Sequence, residues 1–337
     1  MPANLSPEYK QAEQAYRAAR EPRERLDLLK EMLRTIPKHK GTEHLQADIK
    51  SRIKELTEEL AGPKKGGGRG LGGSRGAQFA LRREGAAQIC LVGPPNAGKS
   101  TLHAALTRSH SEVGPFPYTT KTPVPGMLPY KDIAFQLVDL PPLSPEHVEP
   151  GLTGVVQATD AVWLVVDVSD PACTEQVAFI RDALARRKIV LDERWPAPPA
   201  DDVFTARLPT LLVANKSDLD PDPDEVKVLE ELAGVRYPAF AVSAATGQGL
   251  EKLAPFVFES LGVVRVYSKI PGKPAERERP FVVRNGSRVL DVARLVHQDV
   301  AATLKYARVW GSGEFDGQQV GPEHRVVDGD VLELHAR

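Results

Sequence analysis

The chain has 337 residues, a formal net charge of −1, a pI near 6.7 and two cysteines. The length allows two or three domains with a sizeable core, and the balanced charge excludes a global field toward nucleic acid or membrane, leaving such contacts to local patches. Cys90 and Cys173 suit neither a disulfide framework nor a zinc site; no apolar run reaches a membrane span and Met1–Leu5 lacks a signal-peptide core, so the expectation is a cytoplasmic protein without membrane contact.

From the N-terminus, residues 6–61 read as helix. Leu26, Leu29, Met32, Leu33 and Ile36 recur at three- and four-residue steps, as do Leu45, Ile49, Ile53, Leu56 and Leu60. Pro37 ends the first stripe, Gly41 breaks the chain and Thr42 can cap the second. The pattern predicts a helical hairpin over 1–61 with a basic tip, Lys38-His39-Lys40. The tip reads either as solvated turn residues or as a probe for phosphates, RNA included. Residues 62–86 form a glycine-rich basic linker. Lys64, Lys65, Arg69 and Arg75 make it either a plain hinge or a segment that lies along an RNA backbone.

Residues 87–262 alternate strand and helix. Strands are expected at 88–92, 126–130, 133–138, 161–167, 209–214 and 238–242, and helices at 99–108, 174–187, 224–233 and 249–261. This alternation predicts a mostly parallel α/β sheet covered on both faces, with ligands at the carboxyl ends of its strands. The Pro-rich stretch 190–207 reads as surface loop. Residues 263–337 change pattern to short β-type runs around a helix near 288–296, a small α+β module.

The central module carries Gly93-Pro94-Pro95-Asn96-Ala97-Gly98-Lys99-Ser100-Thr101 between the apolar run 88–92 and a helix. Strand, glycine loop and helix in that order make a phosphate-binding loop: backbone N–H groups and the helix N-terminus face the anion. Lys99 reaches the β- and γ-phosphates and the Ser100 hydroxyl can bind Mg²⁺. Asn215-Lys216-Ser217-Asp218 ends a later strand. The Asp218 carboxylate can accept from both the ring N–H and the exocyclic amine of guanine, and adenine would leave it unpaired. Asn215 would support the base, the Lys216 stem would cover it, and Ser243-Ala244 would offer a backbone N–H to the guanine carbonyl. Between these motifs, Thr120, with Thr119 in reserve, and Asp139 are the expected Mg²⁺ and γ-phosphate sensors. The expected catalytic set is therefore Lys99, Thr120 and Asp139, with Ser100, Thr120 and Asp139 on the metal.

The order Gly-x4-Gly-Lys-Ser, Pro-Phe-Pro-Tyr-Thr-Thr, Asp-Leu-Pro, Asn-Lys-Ser-Asp and Ser-Ala resembles the Obg group of translation-factor-class GTPases. Within that group the chain resembles the developmentally regulated GTP-binding proteins (DRG). Three features outside the nucleotide motifs carry the likeness. They are the hairpin segment Pro37–Leu60, the glycine tract, and a C-terminus with Leu304-Lys305-Tyr306-Ala307-Arg308-Val309-Trp310-Gly311 and Val320-Gly321-Pro322-Glu323-His324, which looks like a TGS domain of β-grasp fold. The resemblance implies a P-loop GTPase domain at 87–262 and a TGS domain at 263–337. It also implies GTP/GDP and Mg²⁺ as ligands, slow GTP hydrolysis, and association with ribosome or RNA, with no DNA. Asn96 matches a position that holds K⁺ near the phosphates in related GTPases.

Two departures stand out. The family pattern Asp-x-x-Gly is here Asp139-Leu140-Pro141-Pro142. Proline has no N–H to give a γ-phosphate, and losing a bond to a charged oxygen, about 1.5–3 kcal/mol, would cut GTP/GDP discrimination by about ten- to a hundredfold. Leu143 follows where Ras-like proteins place a water-orienting Gln, leaving Glu146 and His147 as nearby candidates. Asp139 and Asn215 are also only 76 positions apart, too few for the ribosomal-protein-like insertion of eukaryotic and archaeal members. Two other readings stay open: a guanine-nucleotide scaffold with a blunted switch, and a P-loop kinase or ATPase, against which Asn215–Asp218 argues.

Overall fold

The computed structural model describes residues 5–19, 22–37, 40–61, 81–107, 122–144, 152–200, 202–219 and 225–336. The basic tip Lys38-His39, the glycine tract, Thr119, Thr120, Glu146 and His147 lie outside the described residues.

The N-terminal segment is three helices, α1 (Pro7–Ala18), α2 (Pro22–Thr35) and α3 (Glu43–Ala61). The hairpin expected over 1–61 is the α2–α3 pair, and α1 precedes it. Ser6 caps α1 by accepting from the Tyr9 N–H at 3.1 Å and donates to Thr35 O at 3.0 Å, tying the start of α1 to the end of α2. Tyr9, Tyr16, Leu29, Met32, Ile36 and Ile49 meet in one core. A further buried member comes from far along the chain: Phe204, 5% exposed, with its ring edge-on to Tyr16. Residues 190–207 are thus more than the surface loop the sequence suggests. They open with strand β5 (Ile189–Asp192, numbered in chain order below), and their far end plugs the helical core. Arg17 Nη1 donating to Ala200 O, Arg52 Nη2 donating to Gln157 and the Lys188–Asp48 pair fasten the helices to the central module.

The central sheet contains β1 (Gln88–Val92), β2 (Val124–Tyr130), β3 (Ile133–Asp139), β4 (Ala161–Asp167), β5, β6 (Ala206–Asn215) and β7 (Ala239–Ala241). Its order is β2-β3-β1-β4-β6-β5, with β7 also on β6. Every pairing is parallel except the β2–β3 hairpin. β1, β4 and most of β6 are buried on both faces, which is why they read as unbroken apolar runs rather than alternating ones. One face (Cys90, Val162, Leu164, Leu212) packs with α5 (Leu152–Ala158), α6 (Cys173–Ala185) and α7 (Glu225–Ala233). The other (Leu91, Trp163, Val165, Val213) packs with α4 (Lys99–Thr107) and α8 (Leu253–Ser260). Cys90 is a core residue, and burial pushes its thiol up to about 12.

The C-terminal sheet has the order β11-β10-β12-β8-β9, built from β8 (Val263–Lys269), β9 (Ala275–Arg284), β10 (Leu304–Trp310), β11 (Gln318–Val320) and β12 (Val331–Ala336). Helices α9 (Val289–Val296) and α10 (Gln298–Thr303) cross between the β8–β9 hairpin and β10. β12 returns parallel to β8, closing a core of Val264, Val266, Val292, Val309 and Leu332. This module docks on the β2–β3 turn. Asp132 takes Arg265 Nη1 at 2.6 Å and the Tyr267 hydroxyl at 2.5 Å, while Asp328 holds the other side of the guanidinium. Burial raises the Asp132 pKa, but the bonds from Tyr267 and Arg265 outweigh it and hold the carboxyl below its ordinary 3.8. A depressed carboxylate contributes stability that is complete above its unfolded value and lost as pH falls through the folded one. Amide protection across this junction should therefore hold above about pH 4 and decline below it in hydrogen exchange, and Asp132→Asn should show the weakened pattern already at neutral pH.

Candidate functional site

The site lies at the carboxyl ends of β1, β3, β4 and β6. The loop after β1 bends through left-handed residues Asn96 (φ 59°) and Gly98 (φ +83°). Glycine is required at 98 for a second reason: a Cβ there would fall 2.3 Å from Asn215 Nδ2. At Gly93 a Cβ would meet Val165 O at 2.2 Å, so the start of the loop presses on the end of β4. Ala97 is buried in the core, and Thr101 sits in the first turn of α4. Lys99 is 6% exposed, and its ammonium donates to Gly93 O at 3.1 Å and Pro94 O at 2.8 Å. Burial pushes its pKa down to about 8 against the pull of Asp139. A phosphate would give Lys99 charged oxygens in place of those carbonyls.

Asp139 ends β3 fully buried, and the Ser100 hydroxyl donates to its Oδ2 at 2.6 Å. A hydroxyl and a carboxylate this close at the mouth of a phosphate loop are hard oxygen donors suited to Mg²⁺. Ser100 on the metal and Asp139 behind it is therefore a chemically sound pair. Beyond Asp139 the chain runs through Leu140, Pro141 and Pro142, all buried. Pro142 has no N–H, and the next amide, Leu143, donates to Gly93 O at 3.1 Å. Leu143 also buries its side chain beside Leu152 and Val155. Neither residue thus points an amide away from the loop.

Asn215, 2% exposed, ties the two halves of the site together: its Nδ2 donates to Ala97 O at 2.9 Å and its Oδ1 accepts from Ala244 N at 3.0 Å. The backbone N–H that sequence reasoning assigns to a guanine carbonyl is thus donated to Asn215 here. It serves a base only as a shared donor or by leaving Asn215. Ser243 is buried, donating its N–H to Gln248 O and accepting from Thr246 N at its hydroxyl; it shapes the loop and offers no backbone donor outward. Lys216 adopts a left-handed φ of 66° and pairs with Asp167 at 2.6 Å. Burial would raise the Asp167 carboxyl, but bonds from Lys216 and Ser169 bring it below its ordinary value. Asp167 escapes a reading of the sequence; its one signal is its place at the end of an apolar strand beside the other motifs. Asp218 follows on the same turn and is exposed.

Residues 88–193 match the family model described as 50S ribosome-binding GTPase, and residues 264–336 match the TGS domain. An uncharacterized GTP-binding protein of Methanocaldococcus jannaschii is 27% identical, with 92% of each chain covered. Developmentally-regulated G-protein 2 of Arabidopsis thaliana is 28% identical, covering 90% of this chain and 88% of that one. A crystal structure of a GTP binding protein from Pyrococcus horikoshii covers 74% of this chain and 100% of its own at 17% identity and a TM-score of 0.50, a likeness of fold.

Proposed function

Because this chain is a GTP-binding protein of the developmentally regulated type, with a GTPase domain followed by a TGS domain, we propose that it is a slow Mg²⁺-dependent GTPase. In this reading it is cytoplasmic and switches on a ribosome or another RNA. The observation that carries the guanine reading is Asn215, which links the phosphate loop to the Ser243-Ala244 loop; Asp218, three residues on, is the residue we assign to the base. Lys99 holds the β- and γ-phosphates. Ser100 and Asp139 hold Mg²⁺, with Thr120 completing the set. Mg²⁺ supplies charge neutralisation at the phosphates; the chain's own residues position them and exclude water at the buried end. The TGS domain and the basic segments support an RNA partner, and no described helix is long and apolar enough to cross a membrane.

The engaged Leu143 amide and Pro142 favour a second reading, a guanine-nucleotide scaffold with little hydrolysis. Phosphate release from GTP in K⁺ buffer, with and without ribosomes, separates the two. Stimulated turnover is expected from the switch, and tight binding without turnover from the scaffold. Equal rates in Na⁺ and K⁺ would remove the role of Asn96 in holding K⁺. Pro142→Gly should raise the preference for GTP over GDP by about ten- to a hundredfold, because it restores one bond to a charged oxygen; the ratio of the two dissociation constants is the readout.

A further inference from the structure

A cleft of about 870 Å³ opens where the helices, the central module and the C-terminal module meet. It lies at the amino ends of β4 and β6, marked by Asp160 and Pro209. That is a strand length, roughly 23 Å, from the phosphate loop. The guanine-nucleotide site does not use it.

Among the described residues, all the cations that line the cleft are arginines: Arg17, Arg25 and Arg52 from the helices, Arg83 from the segment leading into β1, Arg207 from the central module, and Arg284 from the C-terminal one. Only two described carboxylates, Asp160 and Glu259, line it as well, in a chain whose net charge is −1. Arg83 and Arg284 share Asp160, Arg207 pairs with Asp192 and Arg17 with Glu13. Arg25 differs. It lies 4.7 Å over the Tyr16 ring and donates to the Tyr16 hydroxyl at 3.1 Å. Among the described residues it meets no carboxylate, and its buried Nε has no hydrogen-bond partner. A half-buried guanidinium without a counter-charge is costly unless an anion joins it.

We propose that this three-domain cleft binds a single-stranded RNA segment, its backbone phosphates taken by Arg25 and the neighbouring arginines; the proposal rests on the RNA association proposed above. The choice of cation favours nucleic acid. Guanidinium groups grip phosphate through paired N–H donors and stack on bases, where an ammonium is a point charge. Half-buried Trp195 and the Pro196–Pro199 wall add flat apolar surface to the same cleft, the mixture of stacking surface and positive charge that single strands need. An acidic peptide would use the charge but not the flat wall.

The test is fluorescence anisotropy of the full chain with a labelled unstructured RNA oligonucleotide over a range of salt. Arg25→Gln and Arg25→Glu are the variants, and guanine-nucleotide binding and a thermal melt are the controls. Both variants should melt like the parent and bind GDP unchanged. Arg25→Glu should bind RNA at least tenfold more weakly, with a salt slope lower by about 0.7 for each phosphate no longer engaged. Parent-like RNA affinity and slope in both folded variants overturn the cleft and leave the RNA reading standing. A parent chain that binds no RNA, alone or with GTP, overturns that reading and the cleft with it. Displacement of the RNA by a polyglutamate peptide at equal charge overturns the choice of nucleic acid.

Discussion

Asp218→Asn should weaken GTP and GDP binding by about a hundred- to ten-thousandfold while leaving the melting temperature close to that of the parent. Two charge-assisted hydrogen bonds to guanine are at stake, each about 1.5–3 kcal/mol, and Asp218 is exposed, so the fold does not depend on it. The chemistry allows a sharper outcome than loss. Xanthine carries a carbonyl where guanine carries its exocyclic amine, and an asparagine amide can donate to that carbonyl while its oxygen still accepts from the ring N–H. The variant should therefore prefer xanthosine nucleotides to guanosine nucleotides. Calorimetric titration with the diphosphates of guanosine, xanthosine and adenosine checks both halves. Retained guanine preference in the variant would mean that Asp218 does not read the base, and ATP competing as well as GTP in the parent would revive the kinase reading.

The other large effect is on stability. Phe204→Ala empties the centre of the helical core, where Phe204 joins the cluster formed by Tyr9, Tyr16, Met32 and Ile49. Truncating a buried phenylalanine costs about 3–5 kcal/mol, and here the loss falls on the packing that joins two modules. The expected melt splits in two. Residues of α1–α3 lose protection first, and the sheet that carries the nucleotide site follows at a temperature near that of the parent. A single unshifted transition would show that Phe204 contributes little to holding the helices on the sheet.

What can be read from sequence is what is local. Gly93–Thr101 and Asn215–Asp218 are contiguous, and the bends they impose are decided within a few residues, so strand, loop and helix fall where the spacing places them. The strands β1, β4 and β6 announce themselves because burial on both faces demands apolar runs. β5 stays hidden because four residues are too few for a period and the prolines after it suggest loop. β10 stays hidden as a strand, since Tyr306, Arg308 and Trp310 alternate with only two buried residues, Ala307 and Val309; its residues stand out only as part of the TGS likeness. Contacts made across the fold leave no trace in spacing: Asp167 on Lys216, Leu143 N–H on Gly93 O, Ala244 N–H on Asn215. Phe204 is the extreme case, its partners lying some 150 to 200 positions earlier. The Pro142 departure has both kinds of element within it. The missing donor is visible in the sequence, whereas the capture of the next amide by Gly93 needs the fold.

The late arrival of Phe204 also sets an order of assembly. On a translating ribosome α3 is complete at Ala61, yet the residue that fills the core of the helices is made about 143 positions later. At ~5–20 residues per second that interval is roughly 7–30 s. During it Tyr9, Leu29 and Met32 have one another but not Phe204 to pack against. Closure must wait for β5 and the Pro-rich stretch to emerge, by which time β1–β4 are already available to dock against. The last residues of that stretch lead straight into β6, so the helical core closes just as the strand that ends in Asn215 is being made. Completion of the N-terminal module and arrival of the residue that ties the nucleotide site together are thereby placed within about a dozen residues of each other in the life of the chain.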